Sequence, residues 1–135
     1  MTTAQQEQLE QAAESAMRLA YAPYSKFVVG AALLAADGSV HTGCNVENAS
    51  YPAGICAERA AIARAVSDGV RAFTSITICT EASVPTPPCG ICRQVLNEFA
   101  PLLEVTSITT SGVRQTWRLD ALLPAAFAAN LMAVS

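Results

Sequence analysis

The two segments that organise this sequence are Cys56-Ala57-Glu58 and Pro88-Cys89-Gly90-Ile91-Cys92. Three cysteines with a glutamate two places after the first are typical of a zinc site that has an acid/base group beside it. Structural zinc usually has four protein ligands, whereas a catalytic ion keeps one position for water. The three cysteines therefore indicate a catalytic zinc ion, and Glu58 is placed to take and return a proton.

The local arrangement around these segments is predicted to favour thiolates. Two strand-to-helix junctions, one before Cys56 and one before Cys89, would bring two helix N-termini side by side at one end of a sheet. Free backbone N–H groups and the helix dipole favour anions there. Three thiolates on one divalent ion leave a net charge of about −1, and Arg59 is the candidate for partial compensation.

Other interpretations of the cysteines stay open. A C-x-x-C pair can be a redox pair, or half of a structural zinc site in which Cys44 or Cys79 supplies a fourth sulfur. Both residues lie in predicted strands, where a small core residue is the more ordinary role. His41 forms an H-x-x-C with Cys44, but strand residues three apart point to opposite faces. We therefore expect His41 to face solvent and not to bind metal.

The composition bounds the class of protein. The 135 residues predict one domain, 1–135, around a single core. Hydrophobic residues make up 52% and charged residues only 14%, which predicts that other subunits cover part of the surface. The net charge of −3 offers no basic stripe to a nucleic acid. No signal-peptide core or membrane-length apolar run is evident, so we expect a soluble, cytoplasmic protein.

Hydrophobic periodicity and turn signals predict an α/β fold, a three-layer α/β/α sandwich with a mixed five-stranded sheet. The predicted strands cover 27–34, 40–44, 74–80, 104–109 and 113–119, and helices cover 56–66, a segment ending before Pro23 and a segment from Cys89 to Pro101. Thr3 with Gln6 predicts a capping box at the first helix. Asp120 is predicted to cap a short helix before Pro124.

Several longer runs of the chain resemble the small homotetrameric cytidine deaminases, in the cytidine and deoxycytidylate deaminase superfamily. These runs are YAPYSKFVVGAAL at 21–33, GCNVENASY at 43–51, CAER at 56–59, PCGICRQV at 88–95 and LLP at 122–124, with Phe127. The resemblance covers most of the chain. Ala125 is a departure, because the family often has glycine at this position.

The resemblance implies a zinc-dependent hydrolase that converts cytidine, and also deoxycytidine, to uridine or deoxyuridine plus ammonia in pyrimidine salvage. Cys56, Cys89 and Cys92 would bind one Zn²⁺ per subunit, and Glu58 would carry protons to the ring nitrogen and to the departing amine. The partners implied are a small nucleoside, no nucleic acid or membrane, and three further copies of the chain in a homotetramer.

The resemblance also implies which residues contact the nucleoside. They are Phe27, Asn45, Glu47, Tyr51, Ala57 and Phe127, of which Tyr51 and Phe127 would complete a neighbouring subunit's pocket. One alternative is a deaminase of another nucleoside-like amine such as blasticidin S, although that type lacks the Asn-x-Glu-Asn arrangement of 45–48. A second alternative, from a different class, is a non-catalytic zinc module.

Overall fold

A mixed five-stranded sheet forms the centre of the structure, a computed structural model that describes residues 1–129. Its strands are β1 Val29–Ala35, β2 Val40–Cys44, β3 Phe73–Thr80, β4 Glu104–Thr109 and β5 Arg114–Arg118. They lie in the order β2-β1-β3-β4-β5, in which β3 and β4 run parallel and the other neighbouring pairs are antiparallel. The predicted mixed sheet is therefore confirmed.

Helices cover both faces of the sheet. They are α1 Thr3–Met17, α2 Ala57–Ser67, α3 Gly90–Phe99 and the short α4 Leu119–Leu122, with a 3₁₀ turn over Tyr51–Ala53. The first helix packs on one face, and the other three pack on the opposite face. This gives the three predicted layers. Within residues 1–129, no helix combines the length and the apolar character needed to cross a lipid bilayer.

Alternate residues of β1 contribute to two hydrophobic cores. Ala31 and Leu33 are fully buried on the side of α2 and α3. Ala32, which lies between them, is buried against Leu9 and Met17 of α1. Successive strand residues point to opposite faces, so a strand covered on both sides has a nearly continuous apolar sequence. This explains the unbroken apolar run in this part of the chain.

Two glycines allow helices to pack directly on the strands. A Cβ atom at Gly30 would lie 2.0 Å from the carbonyl oxygen of Ala13 in α1. A Cβ atom at Gly43 would lie 2.4 Å from the nitrogen of Ala61 and 2.6 Å from the oxygen of Ala57, both in α2. Real Cβ atoms do not approach backbone so closely, because interiors are close-packed. Gly43 therefore sets how near the sheet α2 can lie.

The hairpin between β1 and β2 forms as the Asp37-Gly38 signal predicts. Gly38 has a φ of +89°, a conformation that glycine adopts without steric cost. The two strands then pair antiparallel from Leu34 with Val40 to Gly30 with Cys44.

Both predicted helix caps are corrected by the structure. The first capping box lies one residue earlier than predicted: Thr2 Oγ1 accepts from Gln5 N at 3.1 Å, and Thr2 N donates to Gln5 Oε1 at 2.8 Å. Thr3 is already helical. Asp120 lies in the first turn of α4 and Arg118 is the N-cap. The Asp120 carboxylate instead accepts from the Arg118 guanidinium at 2.7 Å.

The expectation that His41 faces solvent is wrong. Only 11% of its side chain is exposed, and its Nδ1 lies 3.9 Å from a carboxylate oxygen of Asp68, the C-cap of α2. Its Nε2 is 2.9 Å from Ser39 Oγ. The end of α2 covers this edge of the sheet, which strand periodicity alone does not reveal. Cys79 is buried as predicted, whereas Cys44 is only half-buried.

Ala125 has a backbone conformation that favours glycine. Its φ is +51°, in the left-handed region that costs a residue with a Cβ atom about 1–2 kcal/mol. Ala125 also stands where the sequence departs from the glycine common in the family it resembles. The alanine that replaces this glycine therefore lies at a position where the backbone is in the left-handed region.

Gly43→Ala tests the close packing of α2 on the sheet. The added methyl group would overlap backbone atoms of α2, so we expect the free energy of unfolding to fall by about 1–3 kcal/mol, measured by urea denaturation. Gly90→Ala is the control, because no atom of residues 1–129 beyond its chain neighbours and the backbone of its own helix lies within 4 Å of its Cβ position, and it should not lose stability. An unchanged unfolding midpoint for Gly43→Ala would contradict this account of the packing.

Candidate metal centre and active site

The three predicted metal ligands meet at the N-termini of α2 and α3. Cys56 is the N-cap of α2, Cys89 is the N-cap of α3, and Cys92 lies in the first turn of α3. Their sulfur atoms all lie within 4.8 Å of one another, and Cys56 Sγ is 3.9 Å from Cys89 Sγ. The predicted meeting of two helix N-termini is therefore present in the fold.

The sulfur cluster fits a zinc ion. In a tetrahedral site, zinc–sulfur bonds of about 2.3 Å place two sulfurs about 3.8 Å apart, close to the separation of Cys56 and Cys89. Thiolates are also ligands that zinc prefers. Within residues 1–129, the cluster contains no fourth histidine, cysteine or carboxylate. The donor set is thus that of an ion with one position left for a non-protein ligand.

Neither of the other two cysteines joins this cluster. Cys79 is buried in the core between α1 and the sheet. Cys44 pairs with Gly30, whose open side faces α1, and paired strand residues point to the same face. The sulfur cluster lies on the opposite side, at the start of α2 and α3. The structure therefore does not support the alternative in which Cys44 or Cys79 supplies a fourth sulfur.

Electrostatics favour a thiolate at Cys56. A hydrogen bond from the Cys92 thiol, together with the Arg59 guanidinium, lowers the pKa of Cys56 well below its usual value. The pKa of Cys92 is raised, because its thiol donates to Cys56 and because it is buried. Arg59 Nη2 donates to Cys56 Sγ at 3.5 Å, so the arginine lies where the sequence predicts a compensating charge.

Glu58 is a buried carboxyl group beside the sulfurs. It lies in the first turn of α2 and is 5% exposed. Burial disfavours the charged form and raises the pKa of Glu58 to about 7. A carboxyl group with a pKa near neutrality can both accept and donate a proton at physiological pH, as general acid/base chemistry requires.

A cleft of about 410 Å³ opens in front of Glu58 and the sulfurs. This volume is within the range of about 300–1,000 Å³ for small-molecule sites. Five of the six predicted substrate contacts line it, namely Phe27, Asn45, Glu47, Tyr51 and Ala57. The structure thus brings these residues together with Cys56, Glu58, Arg59 and Cys89 around one cavity.

Phe127 lies outside this cleft. Its side chain is 58% exposed, and its carbonyl oxygen accepts from Gln94 Nε2 of α3 at 2.9 Å. Tyr51, at the rim of the cleft, is 80% exposed and contacts Tyr24 edge-on with 6.5 Å between ring centroids. Both aromatic side chains are thus open to a neighbouring molecule.

Asn45 fixes the backbone that carries Phe27. Its Oδ1 accepts from Val29 N at 2.8 Å, and its Nδ2 donates to Phe27 O at 2.7 Å. The side-chain amide has two hydrogens, so one donor remains for another partner. The buried amide therefore orients Phe27 at the edge of the cleft and keeps a free hydrogen.

The carboxylate of Glu47 is held by the loop before β1. Its Oε1 accepts from Tyr24 N and Ser25 N, both at 3.0 Å, and its Oε2 accepts from Ser25 Oγ. These hydrogen bonds, chiefly those from Ser25, lower the pKa of Glu47. An ionised carboxylate has about four acceptor positions, so at least one remains available.

Ser25 is a contributor that the sequence reasoning did not single out as a site residue. Besides donating to Glu47, its Oγ accepts from Phe27 N at 3.0 Å, and it lines the cleft. The sequence signal for this role is a serine two residues before Phe27. In the structure this segment is a turn in which Lys26 has a φ of +62°. Serine often bonds to backbone two residues ahead in such turns.

Comparison with known proteins gives consistent results. The sequence model of the cytidine and deoxycytidylate deaminase zinc-binding region matches residues 3–107. Cytidine deaminase from Sporosarcina psychrophila is 45% identical over 122 residues, 90% of this chain and 90% of its own length. Cytidine deaminase from Halalkalibacterium halodurans is 47% identical over 114 residues, 84% of this chain and 86% of its own length.

Solved structures show the same relationship. Cytidine deaminase from Burkholderia pseudomallei superposes with a TM-score of 0.88 at 46% identity, covering 94% of this chain and 100% of that one. Cytidine deaminase from Mycobacterium tuberculosis gives a TM-score of 0.79 at 40% identity, covering 90% and 96%. The likeness therefore extends over the whole sheet and its helices, as well as the cysteine segments.

Proposed function

This chain belongs to the family of cytidine and deoxycytidylate deaminases, and from this we propose that it is an enzyme that hydrolyses cytidine to uridine and ammonia. We further propose that it accepts deoxycytidine and serves pyrimidine salvage. The observation that carries the proposal is the three-sulfur cluster beside a buried Glu58, at the end of a cleft of about 410 Å³.

Cys56, Cys89 and Cys92 would hold the zinc ion. When bound, zinc supplies Lewis acidity, which lowers the pKa of a water molecule from about 15.7 toward 7. The Arg59 guanidinium, bonded to the sulfur of Cys56, offsets part of the thiolate charge that would weaken this effect.

Glu58 is the proton carrier in this proposal. Its carboxylate takes a proton from the attacking water and delivers it to the ring nitrogen next to C4 of the base. A second proton passes through Glu58 to the amine, which leaves as ammonia. One water is consumed for each cytidine, and the carboxylate ends in its starting state, as a general acid/base catalyst must.

The cleft residues would bind the nucleoside. The free amide hydrogen of Asn45 and the open acceptor position of Glu47 suit one ribose hydroxyl, which both donates and accepts. The N–H of Ala57 is among the first four of α2, which have no partner within the helix, so it can donate to the base carbonyl. Phe27, 39% exposed, offers its ring to the base.

Two alternatives are less well supported. A blasticidin-type substrate would leave the buried amide of Asn45 and the ionised Glu47 without a matching sugar hydroxyl, which is costly for polar groups in a binding site. A non-catalytic zinc module would need a fourth protein ligand, and the cluster within residues 1–129 has three.

We place the enzyme in the cytoplasm, because free cysteines persist in a reducing compartment.

A homotetramer with shared pockets is the proposed assembly. Tyr51 and Phe127 are exposed at 80% and 58%, and large exposed apolar side chains are typical of surfaces that contact a partner. Analytical ultracentrifugation of the active protein should therefore show a tetramer. A monomer that retains full activity would contradict shared pockets.

Zinc removal tests the proposed reaction. Purified protein should contain one zinc per chain and should convert cytidine to uridine, followed by the change in ultraviolet absorbance. Dialysis against a chelator should abolish turnover, because the water would no longer be activated. Added zinc should restore turnover. Cytidine and deoxycytidine left unchanged by the zinc-loaded protein, while another amine reacts, would overturn the substrate assignment.

Glu58→Gln tests the proton carrier. Glutamine keeps the shape of the side chain but cannot carry the proton, so kcat should fall by about 10²–10⁴-fold, with zinc content and folding retained. Glu98→Gln, on the exposed side of α3, is the matched control and should react at the normal rate. A Glu58→Gln protein that keeps about a tenth or more of the rate would be outside the range expected for a lost acid/base group.

A further inference from the structure

Arg93 of α3 binds two backbone carbonyls from separate parts of the chain. Its Nε donates to the carbonyl oxygen of Pro88 at 2.7 Å. Its Nη1 donates to the carbonyl oxygen of Leu122, at the end of α4, at 2.8 Å. The planar guanidinium donates in fixed directions, so the two bonds together set the relative positions of these two segments.

The Pro88 carbonyl has no partner within the helix that follows it. The first hydrogen bond of α3 runs from Arg93 N to the carbonyl of Cys89, at 2.9 Å, so the acceptor one residue earlier lies outside the helical ladder. The Pro88 side chain is fully buried, and buried carbonyls require a partner. The side chain of Arg93 supplies that partner from the same helix.

The Arg93–Pro88 bond lies at the peptide that joins Pro88 to Cys89. Cys89 is the N-cap of α3, with an extended backbone and no side-chain capping bond, and it is exposed. The helix fixes the peptide that follows Cys89, and the Arg93–Pro88 bond fixes the peptide that precedes it. The sulfur is therefore oriented by backbone that is held on both sides.

The same helix also binds the segment after α4. Gln94 Nε2 and Asn97 Nδ2 both donate to the carbonyl of Phe127, at 2.9 and 3.4 Å. With the Arg93–Leu122 bond, three side chains of α3 thus hold residues 122–127. The helix that carries Cys89 and Cys92 is the point at which this segment is attached.

We propose that Arg93 is a positioning residue of the metal centre, which holds the Pro88–Cys89 peptide in place for metal binding and links it to the segment after α4. The inference rests on the proposed zinc ligation by Cys89 and Cys92. The two side-chain hydrogen bonds of Arg93 go to carbonyl oxygens and not to a sulfur atom. Its effect passes through the backbone.

The test measures zinc affinity, by competition with a chromophoric chelator, for the full chain and three variants. Arg93→Met keeps the length of the side chain and removes both hydrogen bonds. The zinc dissociation constant should rise about tenfold, the size of effect seen when a residue that orients a metal ligand is removed. Arg93→Lys keeps a charged donor but lacks the planar fork that binds both carbonyls, so its zinc affinity should be intermediate. Arg64→Met is the control. Among residues 1–129, the exposed Arg64 side chain hydrogen-bonds only to Thr42 Oγ1, so this variant should have the zinc affinity of the unsubstituted protein.

The melting temperature of the zinc-free proteins separates positioning from general stability. A purely structural arginine would lower this temperature and leave zinc affinity unchanged, and that result would overturn the proposal. If Arg93→Met does not fold, Arg93→Lys decides, and an affinity equal to that of the unsubstituted protein would also overturn it. If the unsubstituted protein binds no zinc, both the proposed function and this inference are overturned. If it binds zinc and the Arg93 variants bind zinc with the same affinity, only this inference is overturned.

Discussion

The approach of three sulfur atoms at the ends of two helices is the constraint on which the rest of the structure depends. Cys56 and Cys89 are each the residue that precedes a helix, and their sulfurs can lie 3.9 Å apart only if α2 and α3 start side by side. The sheet provides this arrangement. Gly43 lets α2 lie directly on β2, and α3 follows from the end of β3, the central strand.

The repulsion between three neighbouring thiolates explains why positively charged groups surround the sulfur cluster. Thiolates close together repel one another, and the helix N-termini and Arg59 oppose that repulsion with positive charge and dipoles. Glu58 lies beside them, buried, with a pKa raised to about 7. A carboxyl group kept ready to change its charge state, next to sulfurs that favour a cation, is a combination suited to metal-assisted hydrolysis.

The sequence allowed the main features to be predicted because their signals are local. The cysteine spacing depends on one helical turn, and β2, Val40–Cys44, follows a strong Asp-Gly turn and was predicted with correct bounds. The burial of His41 was missed because it depends on the end of α2, which is distant in the chain. The role of Ser25 was likewise missed, since its bond to Glu47 spans 22 residues and follows no periodicity.

The number of sulfur ligands on the metal is the most direct test of the central claim. X-ray absorption at the zinc edge of the loaded protein should show three sulfurs at about 2.3 Å and one lighter atom. That result would mean that the chain leaves one position of the ion to water or substrate. Four sulfurs on the ion would contradict the account, because the polypeptide would then fill the position at which the chemistry is proposed to occur.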